Sequence, residues 1–140
     1  MSAAKPASLK VVLDTNVYFS AFSSRGVPYQ LWQRALHGDY RLFTSPPLMR
    51  ELADILRNDL MWSEAEIIAQ LKLLSRVASI VMPTETLNIV VNDPDDDRIL
   101  ECAVASNADL IVSGDHHLTK LRSYRDIGII RPADLLRTLG

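Results

Sequence analysis

A chain of 140 residues, 48% hydrophobic and 6% aromatic, is long enough to bury the core of one domain and too short for two. Its net charge of -2 gives no overall pull on nucleic acid, so a polyanion would have to be held by local arginines, by bound metal, or by both. One cysteine, Cys102, cannot close an intrachain disulfide, no Cys/His spacing suits zinc, and no apolar run approaches the ~20 residues of a membrane span.

Residues 1–8 are small, polar and proline-containing, which predicts a disordered lead-in to a single domain over 9–140. Without a signal h-region the expected compartment is the cytoplasm. Lys10-Val11-Val12-Leu13 reads as a buried strand whose carboxyl end carries Asp14, followed by a Ser/Gly loop from Ser20 to Gly26. Pro28 suits the first turn of a helix with Leu31, Trp32, Ala35 and Leu36 at helical spacing, stopped by Gly38. Arg41 to Thr44 is a short strand, and Ser45-Pro46 starts a helix striped by Leu48, Leu52, Ile55 and Leu56. Ser63-Glu64-Ala65-Glu66 has the form of a capping box and opens another helix through Leu74. Ala78 to Met82 is read as a strand, Thr84 to Asn92 as a loop or short edge element, and Asp95 to Asn107 as a helix with Ile99, Leu100 and Ala103 inward. Leu110-Ile111-Val112 is a strand that stops at Ser113-Gly114-Asp115, Ile127 to Ile130 a last strand, and Pro132 to Leu139 a closing helix. Strands alternating with helices imply an α/β domain with a mainly parallel sheet.

The compositional anomaly is acidic: Asp93, Asp95, Asp96 and Asp97 crowd into five positions, whereas the basic residues are scattered. In open parallel sheets, sites form beyond the carboxyl ends of the strands, where Asp14 and Asp115 both lie. Glu51 falls at the border of its helix's apolar stripe. Asp96 falls near the centre of the next one, three, four and seven residues before Ile99, Leu100 and Ala103. Buried carboxylates that converge repel one another and are tolerated where a divalent cation compensates them; oxygen ligands suit magnesium or manganese, the ions of phosphodiester hydrolysis. Each acid also has a bland reading. Asp14 and Asp115 could be turn residues, Glu51 an arginine partner, and Asp93 and Asp95 read as helix-cap acids favoured by the macrodipole. His116 and His117 read as polar loop or helix-start residues, Cys102 as a packed thiol, and Trp32 and Trp62 as core or interface anchors. The joint placement of four acids favours the metal.

These segments, Val11 to Val17 with Asp14-Thr15-Asn16, Ser45-Pro46 to Glu51-Leu52, Asp93 to Ala103, and Ala108 to Asp115, resemble PIN-domain proteins in order and spacing, in particular the bacterial branch of toxin–antitoxin toxins. The resemblance runs from about residue 9 to 138. It implies a three-layer α/β/α sandwich with about five strands, a magnesium- or manganese-dependent endoribonuclease, a homodimer, and a small antitoxin partner. By position, Asp14, Glu51, Asp96 and Asp115 take the family's acidic quartet, with Asn16 and Ser113 orienting them. Spacing admits Asp96 or Asp97, and the helix-face argument favours Asp96. Where relatives often carry an acid two places after the equivalent of Asp115, this chain has His117, which removes a formal charge from the site.

The mechanism so implied has Asp14, Asp96 and Asp115 holding metal, Glu51 ligating or activating water, and Arg25, Arg50 and Arg98 meeting RNA phosphates. Its rival is a catalytically silent PIN fold that binds protein or RNA. A haloacid-dehalogenase phosphatase is disfavoured, since Asp14-Thr15-Asn16 lacks the second nucleophile-motif aspartate and no Gly-rich phosphate loop occurs.

Overall fold

The structure, a computed structural model, describes residues 8–90 and 93–140. The expected lead-in falls, except for Ser8, outside the described residues, as do the last two positions of the segment from Thr84. Strands β1 (Lys10–Leu13), β2 (Arg41–Thr44), β3 (Ala78–Ile80), β4 (Leu110–Val112), β5 (Ser123–Tyr124) and β6 (Ile127–Ile130) form one sheet in the order β3-β2-β1-β4-β6-β5. Every pairing is parallel except β5 with β6.

Alternation along the strands assigns the two faces. Val11, Leu13, Leu42 and Val112 join a core with helices α1 (Thr15–Ser23), α2 (Val27–Leu36), α3 (Pro46–Asn58), α4 (Glu64–Val77) and α7 (Pro132–Leu139). Val12, Phe43, Ile111, Ile127 and Ile129 face the other way, onto α5 (Pro94–Ser106) and α6 (His116–Thr119). The result is the expected three-layer sandwich. Fully buried Leu52, Leu56, Ile99 and Leu100 each contribute about 1.5–3 kcal/mol of apolar burial.

Local chemistry sets the helix ends. Ser63 Oγ accepts from Glu66 N–H at 3.2 Å while Glu66 accepts from Ser63 N–H at 2.9 Å, completing the capping box. Gly38 adopts φ 79° past the end of α2, where its N–H and that of Asp39 close onto Ala35 and Arg34 carbonyls, a left-handed cap that other residues resist.

One expectation is extended and one changes. The sheet has six strands rather than about five, because Ser123–Tyr124 turns back on Ile127–Gly128 as a two-residue hairpin arm too short to leave a periodic signal. Much of the expected Ser20–Gly26 loop is helical: α1 begins immediately after Asp14 and runs through Ser23. Its buried residues are Thr15, Val17, Tyr18 and Ala21, types with modest helix propensity apart from alanine, and tertiary packing of Tyr18 and Phe22 on Trp32 stabilises them. The segment 84–90 carries no regular secondary structure.

Candidate metal centre

The sheet order reverses direction at β1, which sends one connection to β2 and has β4 on its other side. Such a switch point opens a crevice beyond the strand ends. Asp14 ends β1 and N-caps α1; Asp115 follows β4 and N-caps α6. The two strand ends are tied together, since Asp14 N–H donates to the Val112 carbonyl at 2.9 Å.

Asp14 is 2% exposed and heavily supported. Ser113 Oγ donates to its Oδ2 at 2.6 Å, and Asn16 N–H donates to its Oδ1 at 3.2 Å. Burial raises its pKa, opposed by these hydrogen bonds and reinforced by the nearby Asp115 charge. Ser113 also accepts from Asp115 N–H at 2.9 Å, so one buried hydroxyl positions both strand-end acids. Asn16 acts through its backbone; its side chain is exposed. Thr15, whose type and place inside Asp-Thr-Asn carry no separate signal of a role, donates to Glu51 Oε1 at 2.8 Å and lies 3.3 Å from Asp14 Oδ1. Glu51 is half-buried, and its pKa is raised by burial, with the Thr15 hydrogen bond opposing and the charges of Asp95, Asp14 and Asp93 adding.

Asp96 and Asp97 part company. Asp97 is 2% exposed, and its Oδ1 accepts from both Ile89 N–H and Val90 N–H at 2.9 Å, so it clamps the chain before α5. Asp96, 5% exposed, has a buried Oδ2 without a hydrogen-bond partner. Its pKa is pushed up to about 9, first by burial, then by a shared hydrogen bond with Asp115 and by the charges of Asp115, Asp14 and Asp93. Burial would raise Asp115 too. The shared hydrogen bond with Asp96, the His117 N–H at 2.8 Å and the imidazole hold its pKa below the usual carboxylate range. One proton between two carboxyls is the expected state of such a pair.

One ligand atom from each of Asp93, Asp96, Asp115 and His117 lies within 4.8 Å of the others. Ligands of an ion bound at 2.0–2.1 Å sit about 3 Å apart when adjacent and about 4.2 Å apart when opposite, so a cation would draw these atoms closer together. Two buried atoms here lack partners, Asp96 Oδ2 and His117 Nδ1, the latter 3.7 Å from Asp115 Oδ1. Unsatisfied polar atoms among crowded carboxyls are what a divalent ion would satisfy, and the residues present fit one. The group differs from the expected one in membership. Asp93 stands at the N-cap of α5 but makes no cap hydrogen bond, and His117 is drawn in by α6. Asp14 and Glu51 adjoin the group without being among its four members.

Of the three arginines expected to meet phosphates, Arg98 is engaged elsewhere: Nε lies 2.9 Å from Glu101 Oε1, though not aligned as a hydrogen bond, and Nη2 donates to the Leu87 carbonyl at 3.3 Å. Arg25 lies over the Tyr29 ring at 5.1 Å, and Arg50 is exposed. Trp32 is 5% exposed in the first core, and Trp62 packs half-buried on Phe22. Cys102 is fully buried, its thiol pushed up to about 12 by burial.

A parallel α/β sandwich with carboxylates gathered at its switch point defines a class of α/β domains whose acidic cluster could hold a metal. The model of the PIN domain family matches residues 10–117, and the chain belongs to that family. It is 33% identical over 120 residues to the uncharacterized protein MJ1680 of Methanocaldococcus jannaschii, covering 81% of this chain and 76% of that protein. Two solved structures share the fold. VapBC2 from Rickettsia felis, bound to a DNA fragment from their promoter, superposes with a TM-score of 0.60 at 15% identity over 88% of this chain and 98% of that one. PAE2754 from Pyrobaculum aerophilum superposes with a TM-score of 0.59 at 17% identity over 94% and 95%. Among the described residues no helix is long and apolar enough to cross a membrane.

Proposed function

We propose that this chain is a metal-dependent endoribonuclease acting as the toxin of a toxin–antitoxin pair. The observation that carries the reading is the meeting of Asp93, Asp96, Asp115 and His117 within 4.8 Å, with Asp14 and Glu51 beside them at the sheet's switch point. Membership of the PIN family and the likeness to VapBC2 support it.

In this reading Asp96, Asp115, Asp93 and His117 hold magnesium or manganese, with Asp14 completing the acidic wall. A bound divalent ion supplies Lewis-acid polarisation of a phosphate and lowers the pKa of water. Ser113 keeps Asp14 and Asp115 in register. Glu51, with its raised pKa and one oxygen held by Thr15, is placed to accept the proton of an attacking water through the other. The groove of about 330 Å³ lined by Phe22, Tyr29 and Trp62 and by Ser24, Arg25 and Gln33 is where an amphipathic antitoxin segment would seat, and the working assembly would be a homodimer.

The test incubates the protein with a pool of structured and single-stranded RNAs in manganese, in magnesium and in chelator, beside Asp14→Asn and Asp115→Asn variants whose folding is checked by circular dichroism. Cleavage that needs metal and is lost in both variants is expected. Cleavage that persists unchanged in both would overturn the assignment. Light scattering with and without a co-expressed partner reads the assembly.

A further inference from the structure

A second groove, of about 520 Å³, runs beside the carboxylates and has the opposite charge. It is lined by His116, Thr119, Lys120, Arg122, Ile129, Ile130, Arg131 and Asp134. Its acid is committed: Asp134 accepts from Arg131 N–H at 3.2 Å and pairs with Arg137. Its cations are not. Among the described residues Lys120, Arg122 and Arg131 have no carboxylate within ion-pair distance and all three are exposed; other unpaired cations, such as Arg50, Lys72 and Arg76, lie outside this groove. Unpaired cations gathered in one concavity of a chain with net charge -2 are a local reversal of its charge.

The groove is also joined to the centre by backbone. The short helix α6 has Asp115 and His117 in the site, and His116 and Thr119 in the groove. Lys120 stands about 7.5 Å along the axis from Asp115 at 1.5 Å per residue, close enough for one strand to meet both. Arg131 follows β6, whose Ile130 carbonyl accepts from Ser113 N–H at 3.0 Å, so it emerges beside the Ser113-Gly114-Asp115 turn.

We propose that Lys120, Arg122 and Arg131 form a phosphate track that holds the backbone of single-stranded RNA flanking the bond to be cut. The inference rests on the ribonuclease reading for its occupant, and on the groove alone for its charge. The carboxylates repel a polyanion; three cations in the adjoining groove offset that repulsion and set the strand's direction across the centre. Contacts of this kind position without reading sequence.

The test measures binding of a labelled single-stranded RNA by fluorescence anisotropy in chelator, where nothing is cut, across a salt series. The wild type is compared with the triple variant Lys120→Ala, Arg122→Ala, Arg131→Ala, and with a remote control on α4, Lys72→Ala with Arg76→Ala. Three lost phosphate contacts at about 0.7 each lower the salt slope by about 2, equivalent to about a hundredfold in affinity at 0.1 M salt. The single variants show about a third of that slope change, which guards against misfolding of the triple one, and the control keeps the wild-type slope. An unchanged slope in the triple variant, or no RNA binding by the wild type, overturns the track. So does loss of binding to poly-glutamate with RNA binding intact, which assigns the groove to an acidic protein. If RNA binding follows the groove and no RNA is cut in any metal, the nuclease reading fails and the track stands. If metal-dependent cutting needs Asp115 but its KM and salt dependence ignore the groove variants, the reverse holds.

Discussion

Asp96 and Asp97 are adjacent, both almost fully buried, and their replacement by asparagine should move stability in opposite directions. Asp97 accepts two backbone hydrogen bonds from the chain before α5. Hydrogen bonds to charged groups contribute about 1 kcal/mol more each than neutral ones, so Asp97→Asn should cost about 2 kcal/mol. At about 3–4 °C per kcal/mol for a chain of this size, the Tm falls by roughly 6–8 °C. Asp96 has its pKa pushed up to about 9, so the metal-free folded state binds its proton more tightly than the unfolded chain does. That contribution is fully present below the ordinary carboxylate value of 3.8 and is lost as pH rises toward about 9. At pH 8 most of it has gone in wild type, whereas Asp96→Asn has nothing to ionise and should melt higher in chelator. Manganese at a hundred times its Kd should stabilise wild type and Asp97→Asn by about 2.7 kcal/mol and leave Asp96→Asn unmoved. The assay is thermal denaturation by circular dichroism at pH 8, with chelator and with manganese. If Asp96→Asn melts lower than wild type in chelator, or gains as much from manganese, the division of labour between these two acids is wrong.

Removing the Ser113 hydroxyl leaves Asp14 without its 2.6 Å donor and Asp115 N–H without its acceptor; Ser113→Ala should lower stability by about 1.5–3 kcal/mol in urea titrations, and manganese affinity by about 10–100-fold in calorimetry. Because Asp96 holds a proton up to about 9, metal binding at pH 7 should expel close to one, seen as a dependence of calorimetric enthalpy on the buffer's ionisation enthalpy; affinity should climb with pH until about 9 and then level. No proton release would mean that Asp96 is not displaced by the ion. His117 offers a nitrogen, which manganese accepts more readily than magnesium, so His117→Asn should weaken manganese more than magnesium. Equal losses, or none, would remove His117 from the coordination sphere, and nitrogen coupling in the electron spin echo of bound manganese reads this without turnover.

Local chemistry made much of the fold legible in the sequence. The β-branched runs at Val11-Val12 and Ile111-Val112, the capping box at Ser63 and Glu66, and the Ser45-Pro46 start all mark elements through contacts between near neighbours, and the structure has them there. The apolar period of α5 likewise turns Asp96 inward, because helix faces are fixed by a rotation of about 100° per residue. The start of α1 was hidden, since Val17, Tyr18 and Phe22 have little helical preference, and Tyr18 and Phe22 are held by aromatic contacts to Trp32 on the next helix.

The site divides along the same line. That acids would stand at strand ends and on one helix face follows from periodicity, which one chain segment determines by itself. Which of them meet depends on strand order and on short turns after the strands, and these are decided between segments. Asp93 does stand at a helix cap and His117 at a helix start, and only the pairing of β1 with β4, which brings α5 and α6 together, makes them neighbours of Asp96 and Asp115. Asp97 looked like a candidate ligand until the segment 84–90 folded back and offered it two backbone N–H groups. The carboxylates are local in origin; the cluster they form with His117 exists only in three dimensions, because it gathers within 4.8 Å atoms that the chain places about twenty residues apart.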